Sequence, residues 1–520
     1  MDQSQRGICY PDTRQDVIKS ILHWYSDDSE GHESAMWLYG LAGAGKSTLS
    51  TTIARMMDRV NGVNLLGAFF FFDRNRPEAN ASTVIRTIAY QLAEFDAIIG
   101  ARIAEIVEAF PDISNQPLGV QFSKLLSNAA LGNLQWNRGP VLIVIDALDE
   151  SGTEAERKDL MQALSEGISQ LPPFLRLLIV GRRERDILAQ FKNSMIRREE
   201  LQVNTSTGRD DIARFIRSRL SEIRDANIEY IPDELKTWPE DGEIDSLVAS
   251  ASGHFIWAAT ACRIIGASRD PKKKMRELIE HRSTDPHPAN EFSSLHQLYK
   301  TALKVTDDWA DPSFCLDFRS ILGVIVCAQV PLSCIAIDSV LASSTTSTTS
   351  TTSSTSPTSP TARLPSLQTV SRFGSVIDWS KTGPIRILHA SFYDYLTIHD
   401  RNEPWAIDIE QCRTQLAYGC IAILERGLRE NMCDLVLPVP VENQSLPEDI
   451  VYASKFWVEH VCSITDPSRD FADVIYCLLQ KKLLNWMEAL AIMKAYDVVL
   501  RSLSGLLSWT QVRLYKNVPH

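Results

Sequence analysis

The chain of 520 residues is 44% hydrophobic and 23% charged, a composition typical of a globular protein with several domains. Its formal net charge of −12 argues against extended contact with the backbone of a nucleic acid. The ten cysteines form no pair or cluster at zinc-ligand spacing, so we predict reduced thiols in a cytoplasmic protein. The N-terminus lacks the apolar run of a signal peptide, and the apolar stretch 321–337 predicts a buried helix and a turn rather than a membrane span.

The first part of the chain alternates apolar strands with helices. Four short apolar segments predict strands, at 35–39, 65–72, 141–145 and 175–180. Helical periodicity predicts helices between them, at 46–59, 82–95 and 119–130. Apolar strands separated by helices are typical of a parallel sheet that is covered on both faces.

A glycine-rich loop leads from the first predicted strand into the first predicted helix. It has the spacing in which a glycine and four further residues precede Gly-Lys-Ser, and it comprises Gly40, Leu41, Ala42, Gly43, Ala44, Gly45, Lys46, Ser47 and Thr48. Glycines let the backbone fold around phosphates with its N–H groups pointing inward. We expect Lys46 to reach the β- and γ-phosphates and the Ser47 hydroxyl to coordinate Mg²⁺. The loop therefore predicts binding of a nucleoside triphosphate with Mg²⁺.

Carboxylates follow the predicted strand 141–145. Asp146, at the strand end, is expected to hold Mg²⁺ through a water molecule, as in a Walker B motif. Asp149 or Glu150 is expected to orient the attacking water, so both are candidate catalytic residues. The alternative is a strand that ends at a solvated acidic turn, and the phosphate-binding loop upstream disfavours it.

The predicted strand 175–180 is followed by two arginines, Arg182 and Arg183. The ends of strands in an open α/β sheet face the ligand crevice, so Arg182 is a candidate catalytic residue that senses the γ-phosphate. The alternative is a surface arginine that pairs with Glu184 or Asp186. The sequence lacks the Asn-Lys-x-Asp motif that reads guanine, which favours ATP over GTP.

From about residue 207 the pattern is mainly helical. Helices are predicted at 210–220, 244–265, 295–305 and 318–327, and again between 410 and 509. A short strand at 385–388 leads into a helix that runs through residue 396. Residues 343–361 are only serine, threonine and proline. Such a tract has nothing to bury, so we predict a disordered insertion there.

These motifs resemble a known family. The segment from Asp146 to Glu150, with a small residue after the first aspartate, is similar to the NACHT family of signal-transducing P-loop ATPases in the larger STAND group. The opening from Cys9 to Arg14, with Trp24 downstream, resembles fungal NACHT proteins of the nephrocystin-3-like N-terminal type. Further segments extend the resemblance, at 69–74, 253–259, 388–396 and 452–460. The sequence departs from the family where Gly181 and Arg183 flank Arg182 and where His254 follows Gly253.

The resemblance implies an α/β region followed by a mainly helical one. A NACHT P-loop nucleotide-binding domain would cover 1–205, and a helical domain 206–290. A winged-helix domain would cover 291–400, interrupted by the insertion at 343–362, and a C-terminal helical domain would cover 401–520. The resemblance also places Thr13 and Arg14 near the nucleotide base. His389 would contact the β-phosphate of ADP, whereas a histidine before a helix is otherwise more often a cap or a core residue.

The resemblance implies an ATP/ADP-dependent signalling switch with slow Mg²⁺-dependent hydrolysis, related to NOD-like receptors and to innate immunity. Exchange of ADP for ATP would open the winged-helix contact and permit self-association through the NACHT domain, or binding of partner signalling proteins. Effector domains and repeats common in the family are not seen between Met1 and His520, which indicates a truncated gene product, a stand-alone core or a decoy partner. The alternatives are a nucleotide-stabilised scaffold without significant turnover and a small-molecule kinase.

Overall fold

The protein is described by a computed structural model that covers residues 7–29, 31–58, 60, 62–73, 79–152, 154–203, 205–226, 238–280, 293–304, 308–346, 366–398, 403–432 and 446–513. The chain divides into two compact units, Met1–Leu298 and Tyr299–His520. Among the described residues, no helix combines the length and the apolar character that crossing a membrane requires.

A five-stranded parallel sheet forms the centre of the first unit. Its strands, in the spatial order β2-β3-β4-β1-β5, are β1 (Ala35–Tyr39), β2 (Leu66–Phe71), β3 (Val141–Asp146), β4 (Leu175–Gly181) and β5 (Arg197–Glu200). Every neighbouring pair in this sheet is parallel. Strands β2, β3 and β4 are buried along their whole length, because helices cover both faces. The predicted parallel sheet is therefore confirmed.

Two apolar cores lie on the two faces of the sheet, because successive side chains of a strand point in opposite directions. On one face, Trp37 and Ile143 pack with the helices α3 to α7, whereas on the other face Met36 and Val144 pack with α1 and α2. The helices of this layered part are α1 (Gln15–Ser26), α2 (Lys46–Asp58), α3 (Val84–Phe95), α4 (Ala97–Ala109), α5 (Leu118–Leu125), α6 (Asn128–Leu131), α7 (Glu154–Ile168) and α8 (Arg185–Gln190).

The fifth strand is an element that hydrophobic periodicity does not reveal. Strand β5 reads Arg-Arg-Glu-Glu and pairs with β1 at the edge of the sheet, where its side chains are exposed or half-buried. An edge strand can be built from charged residues because only one side of its backbone is paired, and charges there discourage pairing with other chains. The sequence therefore predicts four of the five strands.

Helices complete the first unit, and two predicted helices are each divided in two. These helices are α9 (Ser206–Ala226), α10 (Asp241–Ala251), α11 (Phe255–Gly266), α12 (Pro271–Glu280) and the start of α13 (Ser293–Leu303). The predicted helix 244–265 breaks at Gly253, which has φ of 82° and where a Cβ would lie 2.1 Å from Val203 O. Only glycine fits such a position. The predicted helix 119–130 is interrupted at Ser127, whose hydroxyl caps α6.

The second unit begins with helices and a small hairpin. Its first elements, after the end of α13, are α14 (Pro312–Cys327), α15 (Cys334–Thr346), α16 (Ser366–Val370), β6 (Ile377–Asp378), β7 (Arg386–Ile387) and α17 (Ala390–Ile398). Strands β6 and β7 pair antiparallel, and a bridge between Ser333 and Pro384 adds a third short segment. Residues 321–325 are buried in α14, and the helix ends at Cys327, as the predicted buried helix and turn require.

The predicted insertion does not begin at residue 343, because α15 extends into it. This helix continues to Thr346, and Ser343 and Ser344 are buried within it. A serine can lie in a helix interior when its hydroxyl bonds to a carbonyl one turn earlier, as Ser343 Oγ does to Ser339 O at 2.6 Å. The rest of the serine- and threonine-rich tract lies outside the described residues.

Four long helices close the second unit: α18 (Ile409–Gly427), α19 (Glu448–Cys462), α20 (Arg469–Ile492) and α21 (Tyr496–Arg513). Helix α18 is buried along most of its length, where it packs against α15 and α19. The predicted helical region between 410 and 509 is confirmed for the residues that the structure describes, 410–432 and 446–509.

Candidate nucleotide-binding site

The glycine loop joins β1 to α2, which begins at Lys46. Gly43 has φ of 76° and Gly45 has φ of 94°, a conformation that other residues adopt at a cost in energy. No atom lies within 4 Å of the position that a Cβ on Gly45 would take, so the backbone conformation, not crowding, requires glycine there. At Gly40 the reason is different, because a Cβ would lie 2.9 Å from Leu201 O. The loop therefore needs glycine for its backbone conformation at Gly43 and Gly45 and for close packing at Gly40.

Lys46 points its ammonium group into this loop. Its Nζ donates to Gly40 O at 2.9 Å and to Leu41 O at 2.8 Å. Burial of the ammonium group lowers the pKa of Lys46 to about 8, and the nearby Asp149 carboxylate opposes this shift. The positive end of the α2 dipole adds to the field at the loop, where a phosphate would be attracted. Ser47 and Thr48 follow in the first turn of α2.

Asp146 ends β3 beside the start of α2 and is fully buried. The Ser47 hydroxyl donates to Asp146 Oδ1 at 3.2 Å, and the Ala147 N–H donates to the same oxygen at 2.8 Å. The parallel strands thus bring together two oxygens that are far apart in sequence. Oxygen donors of this kind fit Mg²⁺, which retains water and phosphate ligands in nucleotide sites. Within the described residues, no group of three or more His, Cys, Asp and Glu side chains could hold a metal ion alone.

A short turn of 3-10 helix, Leu148–Glu150, follows Asp146 and turns the next two acids in different directions. Asp149 is buried, and both of its carboxylate oxygens bind Arg182. The Arg182 N–H donates to Asp149 Oδ1 at 2.9 Å, and Arg182 Nε lies 3.0 Å from Asp149 Oδ2. Glu150 is only half-buried. The structure therefore joins the predicted arginine to one of the two predicted catalytic acids.

Arg157 is a residue of this site that the sequence analysis missed. It lies on α7, and its Nη1 donates to Asp149 O at 3.0 Å while its Nε binds Asp186 at 2.6 Å. Asp186, one of the alternative partners considered for Arg182, thus pairs with Arg157. No motif marks Arg157 in the sequence, because its role depends on the return of α7 to the end of β4. It holds the acidic turn and the segment after β4 together.

The lead-in, residues 9–14 before α1, also reaches the glycine loop. Arg14 Nη2 donates to Ala44 O at 2.9 Å, and the Arg14 N–H donates to Asp211 Oδ2 at 2.8 Å. The Arg14 Nε is buried and has no hydrogen-bond partner among the described residues. Thr13 is buried, and its hydroxyl donates to Tyr10 O at 2.7 Å. Of these two predicted base contacts, Arg14 contacts the glycine loop, whereas Thr13 makes a hydrogen bond within its own segment.

His389 lies in the second unit at the start of α17. Its Nδ1 accepts from the Ser391 N–H at 3.1 Å and lies 2.7 Å from Ser391 Oγ, which also contacts the buried Tyr299 hydroxyl at 2.7 Å. Because Nδ1 accepts a hydrogen bond, the neutral imidazole carries its proton on Nε2. The ring therefore caps the helix through one nitrogen and keeps an N–H on the other.

The parallel sheet, the glycine loop from β1 to α2 and the buried acid that ends β3 define a P-loop NTPase domain. Residues 12–182 match the family described as Nephrocystin 3, N-terminal. The match begins at the lead-in, includes the loop and the acidic turn, and ends at Arg182. The nucleotide-binding part of the chain is therefore similar to this family, as the sequence predicts.

Solved structures are similar to the chain only at low sequence identity and low TM-score. The C. elegans PCH-2 structure is 11% identical, with 54% of this chain and 71% of that chain covered and a TM-score of 0.29. Drosophila ORC bound to DNA is 13% identical, with 76% and 90% covered and a TM-score of 0.30. The Aeropyrum pernix ORC1 protein in complex with DNA is 15% identical, with 74% and 93% covered and a TM-score of 0.28. Scores this low carry no argument about function, and none of the curated proteins matched the chain.

Proposed function

We propose that the protein is an ATP/ADP-dependent signalling switch that hydrolyses ATP slowly with Mg²⁺. The observation that carries the proposal is the meeting of Lys46, Ser47 and Asp146 at one edge of the sheet. Lys46 would bind the β- and γ-phosphates, and Ser47 and Asp146 would hold Mg²⁺. When bound, Mg²⁺ would offset phosphate charge in the transition state.

Glu150 is the better candidate for orienting the attacking water. Both oxygens of Asp149 bind Arg182, and Glu150, the next residue of the turn, is half-buried. In hydrolysis, the water oxygen forms a bond to the γ-phosphorus, the bond to the β,γ-bridging oxygen breaks, and the water proton passes to Glu150. Arg182 would compensate the charge of the γ-phosphate only when it shares or leaves Asp149. This competition supports slow turnover, which a switch with long-lived states requires.

The second unit supplies the proposed switch. The order of helices α14 to α16 followed by the β6–β7 hairpin supports a winged-helix domain within 291–400, with the insertion at 343–362. His389 would contact the β-phosphate in the ADP-bound state, as the family resemblance implies. We propose the remaining boundaries as expected, with 1–205 binding nucleotide, 206–290 helical and 401–520 a C-terminal helical domain. Exchange of ADP for ATP would open the cytoplasmic protein for self-association or for signalling partners.

The nucleotide that copurifies with the full chain tests this proposal first. We expect ADP, identified by chromatography after denaturation, and we expect its loss in Lys46→Ala. Mass measured by light scattering should increase with a slowly hydrolysed ATP analogue and Mg²⁺ but not with ADP. His389→Ala should reach the larger mass after a smaller fraction of its bound ADP has been exchanged for the ATP analogue. If mass and shape are the same with either nucleotide, the chain is not a switch.

The second candidate is a scaffold that binds nucleotide for stability without turnover. The closed Asp149–Arg182 pair favours it, because this pair occupies two groups that hydrolysis would need. Phosphate release distinguishes the two functions. If the protein is a scaffold, the unmodified chain should release no more phosphate from ATP than Lys46→Ala does. Glu150→Gln should then release as much phosphate as the unmodified chain. Innate-immunity-like signalling rests on the family resemblance and belongs to the first candidate.

A further inference from the structure

Two consecutive carbonyls of the phosphate-binding loop are held by donors from outside the loop. Gly43 O accepts from the Ile256 N–H at 3.3 Å, and Ala44 O accepts from the Arg14 guanidinium at 2.9 Å. Ile256 lies in the first turn of α11, and Arg14 directly precedes α1. The shape of the loop therefore depends on two other segments of the first unit.

The contact at Ala44 has a consequence for phosphate binding. The Ala44 carbonyl and the Gly45 N–H belong to one planar trans peptide, so they point in opposite directions. A donor that fixes Ala44 O therefore also fixes the direction of the Gly45 N–H. Backbone N–H groups of this loop are the ones that hold phosphate oxygens. Arg14 can thus orient a phosphate-binding group without touching the phosphate.

Arg14 is itself held by the helices that follow the sheet. Its N–H donates to Asp211 Oδ2 on α9 at 2.8 Å, and its guanidinium carbon lies 4.9 Å from the centre of the Phe255 ring on α11. The residue is 5% exposed and has φ of 59°, a left-handed conformation that the surroundings must maintain. Burial lowers the pKa of Arg14 and Asp211 raises it, and an arginine remains charged in such a setting.

We propose that Arg14 is a positioning residue that couples the packing of α9 and α11 to the affinity of the loop for polyphosphate. The inference rests on the proposed nucleotide site. When Asp211 and Phe255 hold Arg14, the Ala44–Gly45 peptide is oriented for phosphate. When α9 or α11 shifts, Ala44 O loses its charged donor and the Gly45 N–H loses its fixed direction. Nucleotide release thereby becomes linked to movement of the helical segment.

The experiment compares Arg14→Met and Phe255→Leu with a matched control, Arg176→Met, all in the full chain. Arg176 is also a buried arginine of the first unit, but it donates to Pro173 O and Asp27 O at the opposite end of β4. Calorimetry with Mg²⁺ measures the Kd for ADP and for inorganic tripolyphosphate, and circular dichroism checks folding. Tripolyphosphate lacks a base and a sugar, so it reports on the loop alone.

We expect Arg14→Met to weaken binding of both ligands about tenfold, the effect of losing one hydrogen bond from a charged group. Phe255→Leu should weaken both about threefold, because it removes only the ring beneath the guanidinium. Arg176→Met should leave both Kd values unchanged. Arg14→Lys, which keeps a charged donor, should recover part of the loss.

Two results would overturn the coupling. A loss with ADP but not with tripolyphosphate would assign Arg14 to the base or the sugar. Unchanged affinity in both Arg14→Met and Phe255→Leu would show that the loop does not depend on these contacts. If Arg14→Met does not fold, Phe255→Leu decides alone. In either failure Lys46→Ala still loses binding, whereas equal binding by Lys46→Ala and the unmodified chain would refute the nucleotide site itself.

Discussion

The two ends of strand β4 hold their arginines in different ways. At the first end, Arg176 is 2% exposed and donates to the main-chain carbonyls of Pro173 at 2.6 Å and Asp27 at 3.3 Å, and its only carboxylate partner among the described residues is the exposed Asp28 at 3.3 Å. At the second end, Arg182 is 20% exposed and pairs with the Asp149 carboxylate at 3.0 Å. A carbonyl of a packed turn cannot exchange its donor without local unfolding, whereas a carboxylate can release a guanidinium to a phosphate. The comparison teaches that exchangeable contacts lie at the carboxyl ends of the strands, where ligands of α/β sheets bind.

The largest expected effect concerns the two acids beside Arg182. Glu150→Gln should lower the rate of ATP hydrolysis about a thousandfold, because the proposed proton acceptor is lost while the shape is kept. Asp149→Asn is the matched control and should lower it about tenfold, since Asp149 acts through Arg182. Phosphate release with saturating ATP measures both, and calorimetry should find ADP affinity retained. A loss in Asp149→Asn as large as in Glu150→Gln would make Asp149 the acceptor instead.

The next effect concerns the charge in the glycine loop. Lys46→Ala should weaken ADP binding about a hundredfold, because charged hydrogen bonds to the phosphates are lost. Lys19→Ala, on the exposed side of α1, is the control and should bind ADP as the unmodified chain does. Calorimetry with Mg²⁺ provides the measurement. Equal affinity in the two variants would place the nucleotide elsewhere.

The affinity for ADP should also depend on pH through the charge of Lys46. Burial lowers the pKa of Lys46 to about 8, so the ammonium group loses its charge as the pH rises through that value. ADP affinity should therefore fall about tenfold between pH 7 and pH 9. Lys46→Arg stays charged over this range and should show a weaker dependence. A flat profile in the unmodified chain would contradict the assignment.

The smallest effect on the nucleotide is expected at the other end of β4. Arg176→Met should lower the free energy of unfolding by about 2 kcal/mol, because buried carbonyls lose their donors. It should leave ADP affinity and hydrolysis unchanged. Arg182→Met should instead lower hydrolysis, and it should also lower stability because the buried Asp149 carboxylate loses its guanidinium partner. Urea unfolding and phosphate release on the same samples test this contrast, and a changed ADP affinity in Arg176→Met would break it.

Some elements of the fold follow directly from sequence, and others do not. Strands β1 to β4 are predicted because buried strands need apolar residues, whereas β5 is built of charged residues at an edge and has no such signal. The break between α10 and α11 depends on the approach of Gly253 to Val203 O, fifty residues apart in sequence. Hydrophobic periodicity continues across it, so the sequence predicts one helix.

The sequence by itself determined the glycine loop and the aspartate that ends β3. Glycines, Lys46, Ser47 and the end of an apolar strand carry that chemistry in local spacing, because the loop and its helix form from consecutive residues. Only the tertiary structure decided which partner each charged group has. Three contacts join segments that are far apart in the chain. They are the Asp149–Arg182 ion pair, the hydrogen bond from Arg157 to Asp149 O and the hydrogen bond from Arg14 to Ala44 O. Such contacts depend on how parallel strands and returning helices meet at one edge of the sheet, and no local pattern encodes that meeting.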